Sequence, residues 1–196
     1  MKKYNRIIIL IIAVALINNC EKSEQEANKL YDKLSMNTVN HEFNGKIVAP
    51  MSGRVLSLKE VPDKFFQEKI IGDGIAIEPD STGIVVAPAS GRLEVIFKTN
   101  HAFSIVTEEG IEIFIHFGVN TVQMDGAGFE RLAEEGSLVK AGDPIIRYDY
   151  KFLKENADSI ITPIVISNYQ EFAKLNQMET GKNVTAGKDI ILNVEK

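Results

Sequence analysis

Three kinds of residue are scarce in this 196-residue chain: it has no tryptophan, one cysteine and three histidines. A lone cysteine, Cys20, excludes an internal disulfide and a cysteine-based zinc cage, so any metal would have to use histidine and carboxylate. No run of five or more like charges occurs and the net charge is -5, which excludes the basic stripe that a nucleic-acid surface needs. What is present is ordinary for a globular protein with a real core: 44% hydrophobic and 25% charged residues. The length suits one domain plus an appendage.

The appendage is N-terminal. Lys2, Lys3 and Arg6 precede the apolar run "IIILIIAVALI" at 7–17, which is too short to span a bilayer. Followed by "NNC", this leader (1–20) resembles a bacterial lipoprotein signal with Cys20 as the lipidated residue, although Asn19 stands where a small residue is usual. The other readings are an N-terminal anchor and a start at Met36. Residues 21–43 are polar and read as a tether holding His41. The folded domain is expected over 44–196.

That domain repeats itself. "IVAPMSGRV" at 47–55 returns as "VVAPASGRL" at 85–93, and Gly-x-x-Val-x-Ala-Gly-x-x-Ile-Ile occurs at 136–146 and 181–191. Proline belongs at a strand end, and Ser-Gly supplies a turn. Between these strings lie short strand-like runs such as "GIAIEP", "RLEVIF", "AFSIVT", "IEIFIHF", "PIIRYDY" and "IVISN". The fold class is therefore all-β, an antiparallel β-sandwich or barrel-sandwich hybrid. Short helices are expected within "GFERLAEEG" (128–136), "YKFLKENA" and "YQEFAKLN".

His101 and His116 both lie in the strand-rich stretch "TNHAFSIVTEEGIEIFIHFG" at 99–118. Alternation along a regular strand puts Phe97, Thr99, His101 and Phe103 on one face, and Phe114, His116 and Gly118 on one face of the next. A two-residue turn at 108–109 sets the histidines directly opposite, with Cβ atoms about 4.5–5.5 Å apart. Gly110 instead suits a three-residue turn, which shifts the register by one unless a bulge restores it. On these residues alone, two unrelated core histidines remain the alternative. If the rings meet among Phe97, Phe103 and Phe114, desolvation keeps them neutral, and a neutral ring nitrogen is a nucleophile. Thr99 is placed to fix one ring's tautomer, and Gly118 to leave room for an incoming group.

The strings "VPDKFFQEKIIGDGIAIEP", "VVAPASGRL", "FKTNHAFSI", "GIEIFIHFGVNTV", "GAGFERLAEEG" and "TPIVISN", in order over 44–196, resemble the glucose-type enzyme IIA components of the bacterial phosphoenolpyruvate–sugar phosphotransferase system. The resemblance implies a phosphoryl carrier with His116 as the phosphorylated residue, accepting from the phosphocarrier protein HPr. His101 would steady the group during transfer to a cysteine of a permease IIB domain, with Thr99 as the site's hydroxyl. Phe66, Ile71, Phe97, Phe114 and Val122 fall at docking positions, and Asp63 matches a docking carboxylate. Asn120 departs from a second family carboxylate, and Lys64 from an aliphatic residue. No cofactor is required, although some members bind zinc through the two histidines at a partner interface; a regulated transporter or kinase is a further partner.

Two rivals carry less. A zinc peptidase needs three protein ligands, and His41 lies in the tether. A biotinyl or lipoyl carrier needs a lysine between methionine-like neighbours, which the chain lacks. A third reading, a non-catalytic regulator in an exported lipoprotein, suits Lys2, Lys3 and Arg6 set against Glu21 and Glu24. Retention of the site residues favours a cytoplasmic phosphoryl carrier; a lipoprotein anchored to the membrane through Cys20 is the alternative.

Overall fold

β-Branched runs cut by Gly, Pro and Asn become short strands in the computed structural model, which describes residues 44–81 and 83–196. The leader, the tether, Cys20, Met36 and His41 lie outside the described residues. Strands β1 (Lys46–Val48) and β2 (Gly53–Ser57) and helix α1 (Lys64–Gln67) lead to β3 (Asp73–Pro79), β4 (Gly83–Val86) and β5 (Gly91–Ile96). Next come β6 (Ala102–Val106), β7 (Glu112–His116), β8 (Phe129–Arg131), β9 (Leu138–Val139), β10 (Pro144–Tyr148) and helix α2 (Tyr150–Asn156). The chain closes with β11 (Thr162–Ile166), β12 (Lys174–Gln177), β13 (Asn183–Val184) and β14 (Ile190–Glu195).

An eight-stranded sheet, ordered β13-β2-β3-β11-β7-β6-β5-β9, is joined by two three-stranded sheets, β1-β14-β12 and β4-β10-β8, and every pairing is antiparallel. Ile47, Val55, Leu93, Phe103, Ile113 and Leu192, all buried, belong to the main core between the sheets. A smaller cluster, with Leu56, Val61, Phe66 and Val165, is packed by Phe114 and Ile71. Each fully buried aliphatic or aromatic side chain contributes about 1.5–3 kcal/mol. The all-β sandwich is thus the observed architecture.

The internal repeats are a structural symmetry. Val48 N–H donates to the Pro88 carbonyl and Val86 N–H to the Pro50 carbonyl, both at 2.8 Å, so each Ala-Pro string caps the other. The second pair of echoes docks in the same reciprocal way. Ala186 N–H donates to Ser52 Oγ and Ala141 N–H to Ser90 Oγ, at 3.0 and 3.1 Å. The Ser-Gly glycines are fixed by close approach: a Cβ on Gly53 would lie 2.2 Å from the Glu78 carbonyl oxygen, and one on Gly91 2.4 Å from that of Val106.

Two helical expectations need correction. Residues 129–131 form strand β8, paired to β10 through Arg131↔Ile146, because apolar spacing that also fits a helix is captured by an open sheet edge. "YQEFAKLN" yields a single 3-10 turn, Tyr169–Glu171, and then strand β12 paired to β14. The expected helix at 150–156 is α2, with the Asp149 carboxylate accepting from Phe152 N–H at 3.1 Å as its N-cap.

Candidate functional site

The β6–β7 hairpin carries the histidines, and its register is the shifted one. Thr107 N–H bonds the Ile111 carbonyl and Gly110, at φ +82°, completes a three-residue loop, so His116 pairs with Ala102 and not with His101. His101 lies outside the strand. β5 ends at Ile96, and a tight turn follows in which Phe97 N–H bonds the Ala102 carbonyl and Asn100 N–H bonds that of Phe97. Asn100 is left-handed there, at φ 55°. The expected face shared by Phe97, Thr99, His101 and Phe103 is therefore broken at the turn. Phe103 is 1% exposed in the main core and takes no part in the site.

The turn nevertheless delivers His101 to His116. Their ring centroids are 4.8 Å apart, edge to face at 75°. Phe97 lies 5.3 Å from His101 and 6.3 Å from Phe114, which lies 6.2 Å from His116, so four rings close a circuit. Phe66 adds its ring to His116 at 5.7 Å.

Hydrogen bonds fix how each imidazole is presented. His116 Nδ1 lies 2.9 Å from the Gly118 carbonyl, which can only accept, so Nδ1 carries the proton and Nε2 of the neutral ring is bare. Thr99 Oγ1 lies 2.5 Å from His101 Nδ1. A hydroxyl donating there leaves the His101 proton on Nε2. Burial, aided by His116, lowers His101 to about 4. His116 is also lowered: burial outweighs the Gly118 bond and the charge of Asp63, which favour protonation. Both rings are neutral at pH 7.

Gly118 does not leave room for a ligand as its size suggested. At φ +66°, a Cβ there would meet the Ser159 carbonyl oxygen at 2.5 Å and Thr121 Cγ2 at 2.9 Å. The glycine lets the chain turn tightly enough to present its carbonyl to His116. Thr162 Oγ1 accepts from Gly118 N–H at 3.3 Å and steadies that peptide.

Of the expected docking residues, Phe97 and Val122 are 43% and 47% exposed, and Ile71 and Phe114 are partly buried against the smaller cluster. Phe66 is 2% exposed and packs its ring against that of His116; the exposed large hydrophobic side chains of its segment are Phe65 and Ile70. Asp63 caps α1, accepting from Phe65 N–H at 2.8 Å, and its charge acts on His116. Lys64 is solvent-exposed at the start of α1. Asn120, at φ 59°, donates its amide to Asp158, so a carboxylate stands beside the position where the family aspartate was expected.

Zinc is not supported. Among the described residues no group of three or more His, Cys, Asp or Glu is gathered that could hold a metal ion. Each imidazole already has Nδ1 engaged, leaving two Nε2 atoms against the four ligands of a structural zinc. No helix among the described residues is long and apolar enough to cross a membrane.

Two neutral imidazoles meeting edge to face, with the exposed Phe97 against one of them, on an antiparallel sandwich define a class: proteins with a paired-imidazole centre for nucleophilic group transfer. Comparison specifies the class. The model of the family described as phosphoenolpyruvate-dependent sugar phosphotransferase system, EIIA 1, matches residues 45–172. The glucose-specific EIIA component of Borreliella burgdorferi is 45% identical, over 76% of this chain and 93% of that protein. That of Haemophilus influenzae is 43% identical, over 85% of this chain and 99% of its own. The solved glucose permease IIA of Mycoplasma capricolum superposes with a TM-score of 0.70 at 37% identity, over 77% of this chain and 96% of that one. The chain belongs to the EIIA family of the phosphoenolpyruvate-dependent sugar phosphotransferase system, and its role is that of a phosphocarrier, which requires no cofactor.

Proposed function

We propose that His116 Nε2 accepts a phosphoryl group from HPr and passes it to a cysteine of the IIB domain of a glucose-type permease. The observation that carries this reading is the Nδ1–H bond of His116 to the Gly118 carbonyl, which leaves Nε2 bare beside His101. As the donor's bond to phosphorus breaks, the Nε2–P bond forms, and no proton has to leave His116 first. His101, with its proton on Nε2, donates to a phosphoryl oxygen and stabilises the charge that develops in transit. Onward transfer breaks Nε2–P and forms S–P, returning the bare nitrogen. Thr99 holds His101 in the required tautomer.

Asp63, Ile71, Phe97, Phe114 and Val122 form the docking surface in this reading, Phe65 and Ile70 extend it, and Phe66 backs His116. The domain that does this runs over 44–196, and it works in the cytoplasm with its partners. The test is direct. The full chain, given phosphoenolpyruvate, enzyme I and HPr, should gain one acid-labile phosphoryl group by intact mass, and His116→Gln should gain none. A folded wild type that gains none overturns the reading.

A further inference from the structure

The segment "FERLAEEG", singled out in the sequence and unused by the chemistry above, reaches the site from another sheet. Arg131, the last residue of β8, donates from Nε to Asn100 Oδ1 at 2.9 Å and from Nη2 to the carbonyls of Ile96 and Phe97 at 3.1 and 3.0 Å. Four residues on, Glu135 Oε2 accepts from Ile96 N–H at 3.0 Å, beyond the point where the β5–β6 ladder slips between Leu93 and Val95. The Ile96 residue is thus held on both sides, its N–H by a carboxylate and its carbonyl by a guanidinium.

We propose that Arg131 is a positioning residue for phosphoryl transfer, its guanidinium locking the 96–100 turn that brings Thr99 and His101 to His116. This rests on the phosphocarrier reading of the histidine pair. The turn needs such a lock. It holds a left-handed asparagine, and His101 belongs to no strand; its carbonyl accepts from Phe117 N–H, just past the end of β7, at 2.7 Å. The guanidinium fork binds the three acceptors from one planar group, which a lysine ammonium on a flexible stem does not reproduce. Arg131 is itself exposed and absent from both apolar clusters, so packing does not account for its three bonds.

The experiment uses the full chain with Arg131→Gln and Arg131→Lys. Acceptance from phospho-HPr should stay within about threefold of wild type, while donation to IIB should fall about tenfold or more, because misplacement by an ångström costs transfer heavily. Lysine should restore part of the loss. Long-range 1H–15N spectra at pH 7.5 should show His101 losing its single hydrogen-bonded Nδ1 signature while that of His116 persists. Equal losses of acceptance and donation, or unchanged His101 signals with donation intact, overturn the proposal. Should Arg131→Gln fail to fold, Arg131→Lys, which keeps the charge and loses the planar fork, decides: donation and His101 signals equal to wild type overturn it. If the wild type itself takes up no phosphoryl group, the phosphocarrier reading falls, and unchanged His101 spectra in the variants then overturn the role of Arg131 separately.

Discussion

His101 and His116 meet edge to face at 4.8 Å although the strand partner of His116 is Ala102. Contact between the imidazoles is thus made by the turn before β6, not by the ladder. The two rings consequently differ in what they can do: His116 has a fixed bare Nε2, and His101 is oriented through Thr99.

Substitution should separate these roles. His116→Gln is expected to abolish phosphoryl acceptance, whereas His101→Gln should accept at a near-normal rate and donate about 10²–10³-fold more slowly, the usual cost of removing a donor aimed at developing charge. Rapid-quench measurement of both half-reactions checks this, and equal loss in the two variants would refute the assignment.

The phenylalanines should divide by face. Phe103→Ala removes a side chain 1% exposed and should cost about 3–5 kcal/mol in urea unfolding. Phe97→Ala, at a position 43% exposed, should cost about 0.5–1 kcal/mol yet raise the apparent KM for the phosphoryl donor several-fold. A Phe97→Ala variant as unstable as Phe103→Ala would mean that Phe97 is core.

Much of this was legible in the sequence, for identifiable reasons. Runs such as 73–79 and 112–116 are strands because β-branched and aromatic residues suit a pleated, half-buried surface, and the Ala-Pro and Ser-Gly strings marked the symmetry. Residues 129–131 misled because Phe129, Leu132 and Ala133 fit helical spacing as well as a short strand, and only pairing with β10 decides. The His101 turn was hidden because alternation was carried through Asn100, whose tolerance of left-handed geometry was the available signal. The role of Gly118 is not legible in the sequence because its contribution is a carbonyl, which side-chain chemistry does not announce. Phe65 and Phe66 are adjacent and alike, and only the geometry of α1 says which is buried.

Acid should destabilise the fold through His101. Its folded value of about 4 lies below the ordinary 6.5, so as pH falls the unfolded chain takes the proton first. Stability is full above about pH 6.5 and is lost progressively down to about 4, by roughly 3 kcal/mol in total. His101→Gln cannot titrate there, so its urea midpoint should fall less between pH 7 and 4 than that of wild type. Parallel decline in both proteins would show that His101 is not the group responsible.

Gly118→Ala should damage stability and function together. The left-handed backbone costs about 1–2 kcal/mol for a residue with Cβ, and the overlap with the Ser159 carbonyl adds about 1–3 kcal/mol. The chain can escape only by moving the peptide that bonds His116 Nδ1. Phosphoryl acceptance should therefore fall about tenfold or more even at temperatures where the variant is folded. Normal acceptance by a folded Gly118→Ala would mean that this carbonyl does not set the His116 tautomer.

Asp63→Asn isolates electrostatics from structure. Asparagine caps a helix about as well as aspartate, so the bond to Phe65 N–H and the α1 turn should survive with stability changed by under about 0.5 kcal/mol. What disappears is the negative charge that acts on His116 and that the proposed docking surface would offer to a partner. Without it the proton affinity of His116 drops further, which leaves the ring neutral and its chemistry intact. Association with a basic donor surface should slow several-fold at low ionic strength and converge on the wild-type rate as salt screens the difference. Stopped-flow association across a salt series measures this, and a slope against ionic strength identical to wild type would exclude Asp63 from docking.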